Sequence, residues 1–328
     1  MDVAALAGVS HITVSRVVRE HPMVRGSTRE RVHSAMRALG YEPNPAARAL
    51  VTGRSSLIGV VASNTALYGP AAALIGLESA AAEHRYFLTV AGLESLDAPA
   101  VTRAVSRLRQ QAVAGVVLVS PQAAVAEAFE SLPDDLPMVA IWGYPGTRIP
   151  VVASDEALAA RSVTKHLLEL GHRSVWHIAG PAGRIGAGER IRGWQETLVE
   201  QGLAPPVALH GDWTARSGYE AAKRLLEDRR VTAVFAGNDQ MALGVLRAAV
   251  EAGRAMPRDL SVVGFDDIPD AAYFTPSLTT VRQHFVTMGR HSMELLLSQM
   301  GAEAPTPRDV RLAAELVVRE SSGAAAQE

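Results

Sequence analysis

Three polar side chains, far apart along the chain, form a coherent chemical set. Arg190 presents a planar fork of donors, Asn238 is an amide that donates and accepts, and Asp266 is a carboxylate. Together they can hold adjacent hydroxyl groups through paired donors and acceptors. Trp213, within His210-Gly-Asp-Trp-Thr214, adds a flat apolar surface of the kind that packs on a sugar ring, and Phe285 follows Gln283 by two positions. The chemistry suits a neutral polyol. It also discriminates, because an epimer that leaves one buried group unpaired loses roughly 1–3 kcal/mol. Catalysis is not expected, since Asp266 has no evident second acid, base or nucleophile beside it. The glycine-rich loop at 180–188 lacks the Gly-Lys-Ser/Thr of a phosphate cradle, the ten histidines show no metal-ligand spacing, and there is no cysteine. No metal, disulfide or cofactor is therefore expected.

A second set lies near the N-terminus. Residues 2–7 read as a short helix stopped by Gly8, and Ser10 is placed to cap a second helix running through Arg19, with Val14, Val17 and Val18 on its apolar side. Ser27-Thr-Arg-Glu30 has the form of a capping box, opening a third helix that turns Val32, Ala35, Met36 and Leu39 inward and ends at Gly40. This is a helix-turn-helix with a supporting helix, whose second helix presents its N-terminal residues to base edges in the major groove. Arg16 can make a two-pronged contact to guanine, while His11 and Ile12 offer one polar and one apolar contact. Ser10, Thr13, Ser15, Arg19 and Thr28 suit phosphate oxygens, which fix position without reading sequence. Residues 1–54 hold eight arginines against four acids, so a net charge of −2 conceals a +4 end on a −6 remainder. Such a basic end is the electrostatic footprint of nucleic-acid contact.

From Leu57 the pattern changes to strand-length apolar runs alternating with helical stretches. Strands are expected at 57–62, 86–91, 115–119 and 138–142, with helices near 71–83, 98–111 and 123–131, giving one parallel α/β lobe. The pattern recurs in kind beyond Asp155: a helix to Leu170, strands at 174–179, 233–236 and 261–265, and helices from Gly188, from Ala215 and to Ala252. Two doubly wound lobes side by side place their strand ends, and hence a ligand, in the cleft between them. Asn238-Asp239-Gln240 and Asp266-Asp267 are such strand ends.

A chain of 328 residues predicts two or three compact units, and 48% hydrophobic against 20% charged residues supports sizeable cores. No apolar run reaches the ~18 residues of a membrane span, and Met1–Ser10 lacks the pattern of an export signal, so a cytoplasmic protein with no membrane partner is expected. The rival readings are a sugar-acting enzyme and an exported sugar-binding protein. Neither has a use for the N-terminal unit.

The string from Asp2-Val-Ala through Gly8-Val-Ser10 to Thr13-Val-Ser-Arg-Val-Val18, with Thr28-Arg-Glu-Arg-Val32 and Gly40-Tyr-Glu-Pro-Asn44, resembles the headpiece of the lactose-repressor (LacI/GalR) family. Members carry several residues before the equivalent of Asp2, where this chain starts at Met1. The resemblance implies that Pro45–Leu50 is a hinge helix, with Ala47 and Arg48 near the minor groove and Leu50 wedged into a central base step from both subunits. The residue chemistry agrees, since Pro suits a first helical turn and apolar wedges unstack and bend DNA. An Ala-rich linker with Leu50 packed on the core domain remains the alternative.

The later blocks Ala179-Gly-Pro, Arg190 with Gly193-Trp194, Gly211-Asp-Trp213, Asn238-Asp-Gln-Met-Ala-Leu-Gly244, Ser261-Val-Val-Gly-Phe-Asp-Asp267 and Leu278-Thr-Thr-Val-Arg-Gln283 resemble the same family's ligand domain. By that resemblance Arg190, Asn238, Asp266 and Gln283 bond sugar hydroxyls, Trp213 and Phe285 pack on the ring, and Leu67 and Pro70 line the first-lobe side. A galactoside effector is implied, with another sugar or a purine as alternatives. Where relatives carry a carboxylate and an amide in the first lobe, this chain has Trp142 and Val119, so Trp142 joins the expected contacts and the far end of the sugar is met by stacking.

The expected organisation is thus a small all-α helix-turn-helix domain (1–43), a hinge helix and linker (44–54), and a two-lobed, periplasmic-binding-protein-like α/β domain with parallel sheets (55–320). Its lobes are about 55–154 with 284–312, and 155–283 with 313–320, followed by a disordered tail at 321–328. The family resemblance implies a repressor of sugar-utilisation genes that binds operator DNA as a homodimer and responds allosterically to sugar. No leucine heptad follows Glu320 to join dimers into tetramers.

Overall fold

Three helices, α1 (Val3–Ala7), α2 (His11–Val18) and α3 (Gly26–Ala38), build the first unit of the computed structural model, which describes residues 2–18, 21–41, 55–63, 65–93, 97–119, 132–143, 147–301 and 309–325. The chain divides into two units, Met1–Ser56 and Leu57–Glu328. The Asp2 carboxylate accepts from Ala5 N at 2.8 Å to open α1, and Gly8, at φ 63°, closes it. Ser10 Oγ accepts from Thr13 N at 3.2 Å and so starts α2. The expected capping box does not form. The third helix starts one residue before Ser27, with Arg25 at its cap, no side-chain cap bond, and the Arg25 carbonyl accepting from Thr28 and Arg29. Val3, Ala7, Val17, Val32, Ala35 and Met36 fill the core. Leu39 lies one position past the last turn, 37% exposed, so it is not the core residue its spacing suggested. Arg19, the hinge segment with Ala47, Arg48 and Leu50, and the helix expected at 123–131 lie outside the described residues.

In the second unit, a six-stranded parallel sheet runs in the order β11-β5-β4-β3-β1-β2. Its strands are β1 (Leu57–Ser63), β2 (Phe87–Leu93), β3 (Gly115–Val119), β4 (Met138–Ile141), β5 (Val151–Ser154) and β11 (Val310–Leu312). Every residue of β3, β4 and β5 is buried, as expected of central parallel strands covered on both faces. Helices α4 (Tyr68–Glu83), α5 (Ala98–Gln110) and α10 (Phe285–Gly301) pack on this sheet. α4 and α10 approach closely because Gly76 and Gly289 carry no Cβ, which would strike the backbones of Val286 and Ala73 respectively.

The second sheet is also parallel, in the order β7-β6-β8-β9: β6 (Trp176–Ala179), β7 (Leu209–His210), β8 (Ala233–Ala236) and β9 (Ser261–Val263). Its helices are α6 (Glu156–Glu169), α7 (Ile185–Glu200), α8 (Ala215–Leu225) and α9 (Asp239–Glu251). A short antiparallel pair, β10 (Thr280–Arg282) with β12 (Glu315–Val317), completes the fold. Strands β5, β7, β10, β11 and β12 have no counterpart in the sequence pattern. The expected disordered tail is corrected as far as Ala325. Ser321 is fully buried and exchanges bonds with Val262, Gly323 O lies 3.2 Å from His172 Nε2, and Ala325 N donates to Leu170 O at 2.8 Å.

Candidate ligand-binding cleft and nucleic-acid interface

The strand ends of the second unit converge on a cleft of about 680 Å³. From the first lobe it is lined by Leu67, Tyr68, Pro70, Trp142 and Phe285, which form an apolar wall, with Trp142 and Tyr68 each set edge-on to Phe285 at 5.6 Å. From the second lobe come Arg190, Trp213, Asn238, Asp266 and Gln283. All nine side chains expected to touch a ligand thus line one cavity. Val119 does not; it is fully buried in the first core.

Arg190 is the hub. Its side chain is 7% exposed, its Nε donates to Glu156 at 2.5 Å, one terminal nitrogen donates to the Gly237 carbonyl, and the other lies 3.5 Å from Asp266. The guanidinium also lies over the Phe265 ring, 3.8 Å from its centre. A buried charge needs this much compensation, since burial without it costs several kcal/mol. Burial pushes Asp266 up to about 7, with Arg190 pulling the other way, Glu156 adding to the rise and the Gln283 bond opposing it. Gln283 Nε2 donates to Asp266 Oδ1 at 2.8 Å, and Gln283 Oε1 is buried without a partner among the described residues. Asn238 caps α9, accepting from Met241 N at 2.9 Å while its amide donates to Trp213 O and Gln240. Its first task is to fix the cleft wall. Asp239 sits behind the site, bonded to Thr280 at 2.5 Å and Ile268 N at 2.8 Å, and burial raises it well above the usual carboxylate range. Asp267 serves the scaffold instead, tied at 2.7 Å to both Arg282 and Arg319.

Three cleft residues hold left-handed backbones: Trp142 at φ 60°, Trp213 at 74° and Asp266 at 108°. Such conformations cost on the order of 1–3 kcal/mol each and persist where the surroundings enforce them. The sequence reading missed Tyr68, Glu156, Arg184 and Ile185 in the cleft wall. Glu156 was findable: it lies two residues past β5, and the strand-end rule reaches it once Val151–Ser154 is taken as a strand.

In the first unit, His11, Ile12 and Arg16 are exposed on α2 while Val17 is buried beneath them. Ser10 is exposed, and Thr13, Ser15 and Thr28 are half-buried. His11 Nε2 lies 3.6 Å from the Asp2 carboxylate, which steers the imidazole.

Residues 1–44 match the family described as bacterial regulatory proteins, lacI family, and residues 164–322 match a periplasmic binding protein-like domain. The lactose operon repressor of Escherichia coli (strain K12) is 36% identical over 307 residues, covering 92% of this chain and 85% of that protein. This chain belongs to the lacI family. A crystal structure of the lac repressor dimer bound to operator and the anti-inducer ONPF matches it with a TM-score of 0.92 and 35% identity, covering 98% of each chain. A complex of the transcriptional regulator CelR with cellobiose matches with a TM-score of 0.74 and 33% identity, covering 97% of this chain and 98% of that one. This lacI-family protein is a DNA-binding transcriptional repressor and not an enzyme, with a helix-turn-helix domain and a two-lobed α/β domain built on parallel sheets.

Proposed function

We propose that this protein represses sugar-utilisation genes in the cytoplasm, leaving its operator when a sugar, with a galactoside as first candidate, enters the cleft. The convergence of Arg190, Asp266 and Gln283 beside Trp213 and Phe285 carries this reading. Donors and acceptors lie beside aromatic faces, the arrangement a pyranose with hydroxyl edges and apolar ring faces requires. The similarity to the lactose operon repressor points to galactosides. The CelR–cellobiose complex supports a glucoside as second reading, since Trp142 offers stacking where relatives offer polar groups.

On DNA, His11, Ile12 and Arg16 read base edges. Ser10, Thr13, Ser15, Arg19 and Thr28 hold phosphates, and Ala47, Arg48 and Leu50 enter the minor groove of a pseudo-palindromic site bound by a homodimer. Sugar acts by population shift: it favours release only as far as it binds the released state more tightly. A thermal-shift screen of the full chain against galactose, lactose, allolactose, cellobiose and purines tests the effector, because a ligand bound by the native state raises Tm. A shift with galactosides alone, with weakened operator binding at fixed salt, is the expected result. A purine response that tightens DNA binding overturns it. Leu50→Ala at fixed salt separately tests the wedge, with unchanged operator affinity as the contrary outcome.

A further inference from the structure

We propose that Glu156 is a positioning residue for the effector: by holding Arg190 Nε it keeps the guanidinium from closing on Asp266. A donor and an acceptor are thereby left side by side for two adjacent hydroxyls. The proposal rests on the reading of the cleft as a sugar site. Glu156 Oε2 accepts from Arg190 Nε at 2.5 Å, whereas the Arg190 nitrogen nearest Asp266 lies 3.5 Å from its Oδ1. That separation is beyond the roughly 2.7–3.2 Å of an N–H···O bond. Asp266 accepts from Gln283 Nε2, and a carboxylate has room for further donors.

Two buried carboxyls thus compete for one fork, and their places in the fold decide between them. Glu156 stands in the first turn of α6, where the positive end of a helix favours a carboxylate. Gly186 in the first turn of α7 leaves room for it, since a Cβ there would press on the Glu156 carboxylate at 3.3 Å. Asp266 is anchored elsewhere: its backbone is left-handed and its N–H donates to Val281 O of β10 at 2.8 Å. The remaining titratable groups around the pair are otherwise engaged. Asp239 on α9 is bonded to Thr280 and Ile268 N, Asp267 is matched by Arg282 and Arg319, and burial raises Tyr68 on α4. Burial pushes His177 on β6 down to about 3, so it stays neutral near neutral pH, and Arg184 lines the same cleft. How far Arg190 serves Asp266 is therefore set by its bond to Glu156.

Glu156→Gln keeps an oxygen for Arg190 Nε but removes the charge, and Gly186→Ala keeps every charge but crowds the carboxylate. Calorimetric titration of the full chain with lactose and with cellobiose from pH 5 to 8 reads sugar affinity. Urea unfolding of the unliganded chain from pH 4 to 8 reads Asp266 without any sugar. In Glu156→Gln, Arg190 closes on Asp266, so the sugar Kd at pH 8 should rise severalfold. The pH at which affinity climbs should move down by about one unit. The stability lost between about pH 4 and 7 should shrink, because the folded Asp266 gives up its proton earlier. Gly186→Ala should shift both profiles the same way by less. In an Asp266→Asn background neither substitution should move the sugar profile, and the unfolding difference that remains there is Glu156's own. An unmoved or raised midpoint in both variants, with affinity lost equally at every pH, overturns the proposal and leaves Glu156 a structural brace. If neither sugar binds the wild-type chain, the sugar reading fails, while the unfolding profiles still decide whether Glu156 governs Asp266.

Discussion

The two units of this repressor present function in opposite ways. In the N-terminal unit every buried residue among those described is apolar, and His11, Ile12 and Arg16, proposed to read base edges, stand exposed on a helix scarcely two turns long. In the cleft the reverse holds: Arg190, Glu156, Asp239, Asn238 and Gln283 are all among the buried polar residues, and three left-handed backbones aim their neighbours. The difference follows from the ligands. DNA brings its own phosphates, counter-ions and water, so exposed donors on a short rigid helix suffice. A neutral sugar brings no charge, so its site must hold polar groups dry and already compensated, which a larger scaffold alone can do.

The sharpest way to break this contrast is at Arg190. Arg190→Ala leaves Glu156 and Asp266 buried without their cation, and removing one member of a buried ion pair costs about 3–5 kcal/mol. Denaturant unfolding followed by tryptophan fluorescence should show a loss of that size, and the sugar-dependent Tm shift should vanish. Arg190→Lys keeps the charge without the fork and should recover stability only in part. If Arg190→Ala unfolds at the wild-type midpoint, the hub is not what organises the cleft.

Arg16 is the counterpart in the other unit. It supports no core and forms no ion pair among the described residues, so Arg16→Ala should leave Tm and sugar affinity unchanged. Operator affinity should fall by about 1–3 kcal/mol with discrimination relaxed at a single base pair. Fluorescence anisotropy against operator variants at fixed salt measures this. A uniform loss on every sequence, with a shallower salt dependence, instead makes Arg16 a phosphate contact.

The same contrast explains what could be read from the sequence. The short helices of the headpiece were legible because cap, glycine stop and apolar spacing are local signals; Gly8 and Ser10 do as their types suggest. The ligand contacts were legible as residue types at strand ends, but not their internal partnerships. Glu156 lies 34 positions from Arg190, and its link to that side chain exists only after α6 and α7 pack. Nor does residue type reveal that Asp267 braces β10, or that the residues after Glu320 are pinned by His172 and Val262. These are long-range bonds with no local signature.

Buried charge makes the cleft sensitive to pH. Asp266 moves from an ordinary 3.8 to about 7 through burial, partly opposed by Arg190. The folded carboxyl thus keeps its proton where the unfolded one has lost it, and the stability of the unliganded unit should decline as pH rises from about 4 to about 7. Sugar hydroxyls donate best to the ionised carboxylate, so effector affinity should rise severalfold between pH 6 and 8 and then level off. Titration calorimetry across that range, with Asp266→Asn giving a weaker but flat profile, checks the sign. Affinity that falls over the same interval means Asp266 donates its proton to the sugar.

The smallest effect separates two serines of the headpiece that the sequence treats alike. Ser10 Oγ accepts from Thr13 N and so satisfies an orphan donor of α2, and its loss in Ser10→Ala should cost about 1 kcal/mol. Ser27 lies inside α3, one residue past its start, with no cap bond to lose. Ser27→Ala should therefore be neutral or slightly stabilising, since Ala is the better helix former. Urea unfolding of the two variants, followed by helical circular dichroism, distinguishes them. Equal losses restore the capping box that the spacing Ser27-x-x-Glu30 suggests. A loss at Ser10 alone means that hydrogen-bond geometry, not motif spelling, decides which serine begins a helix.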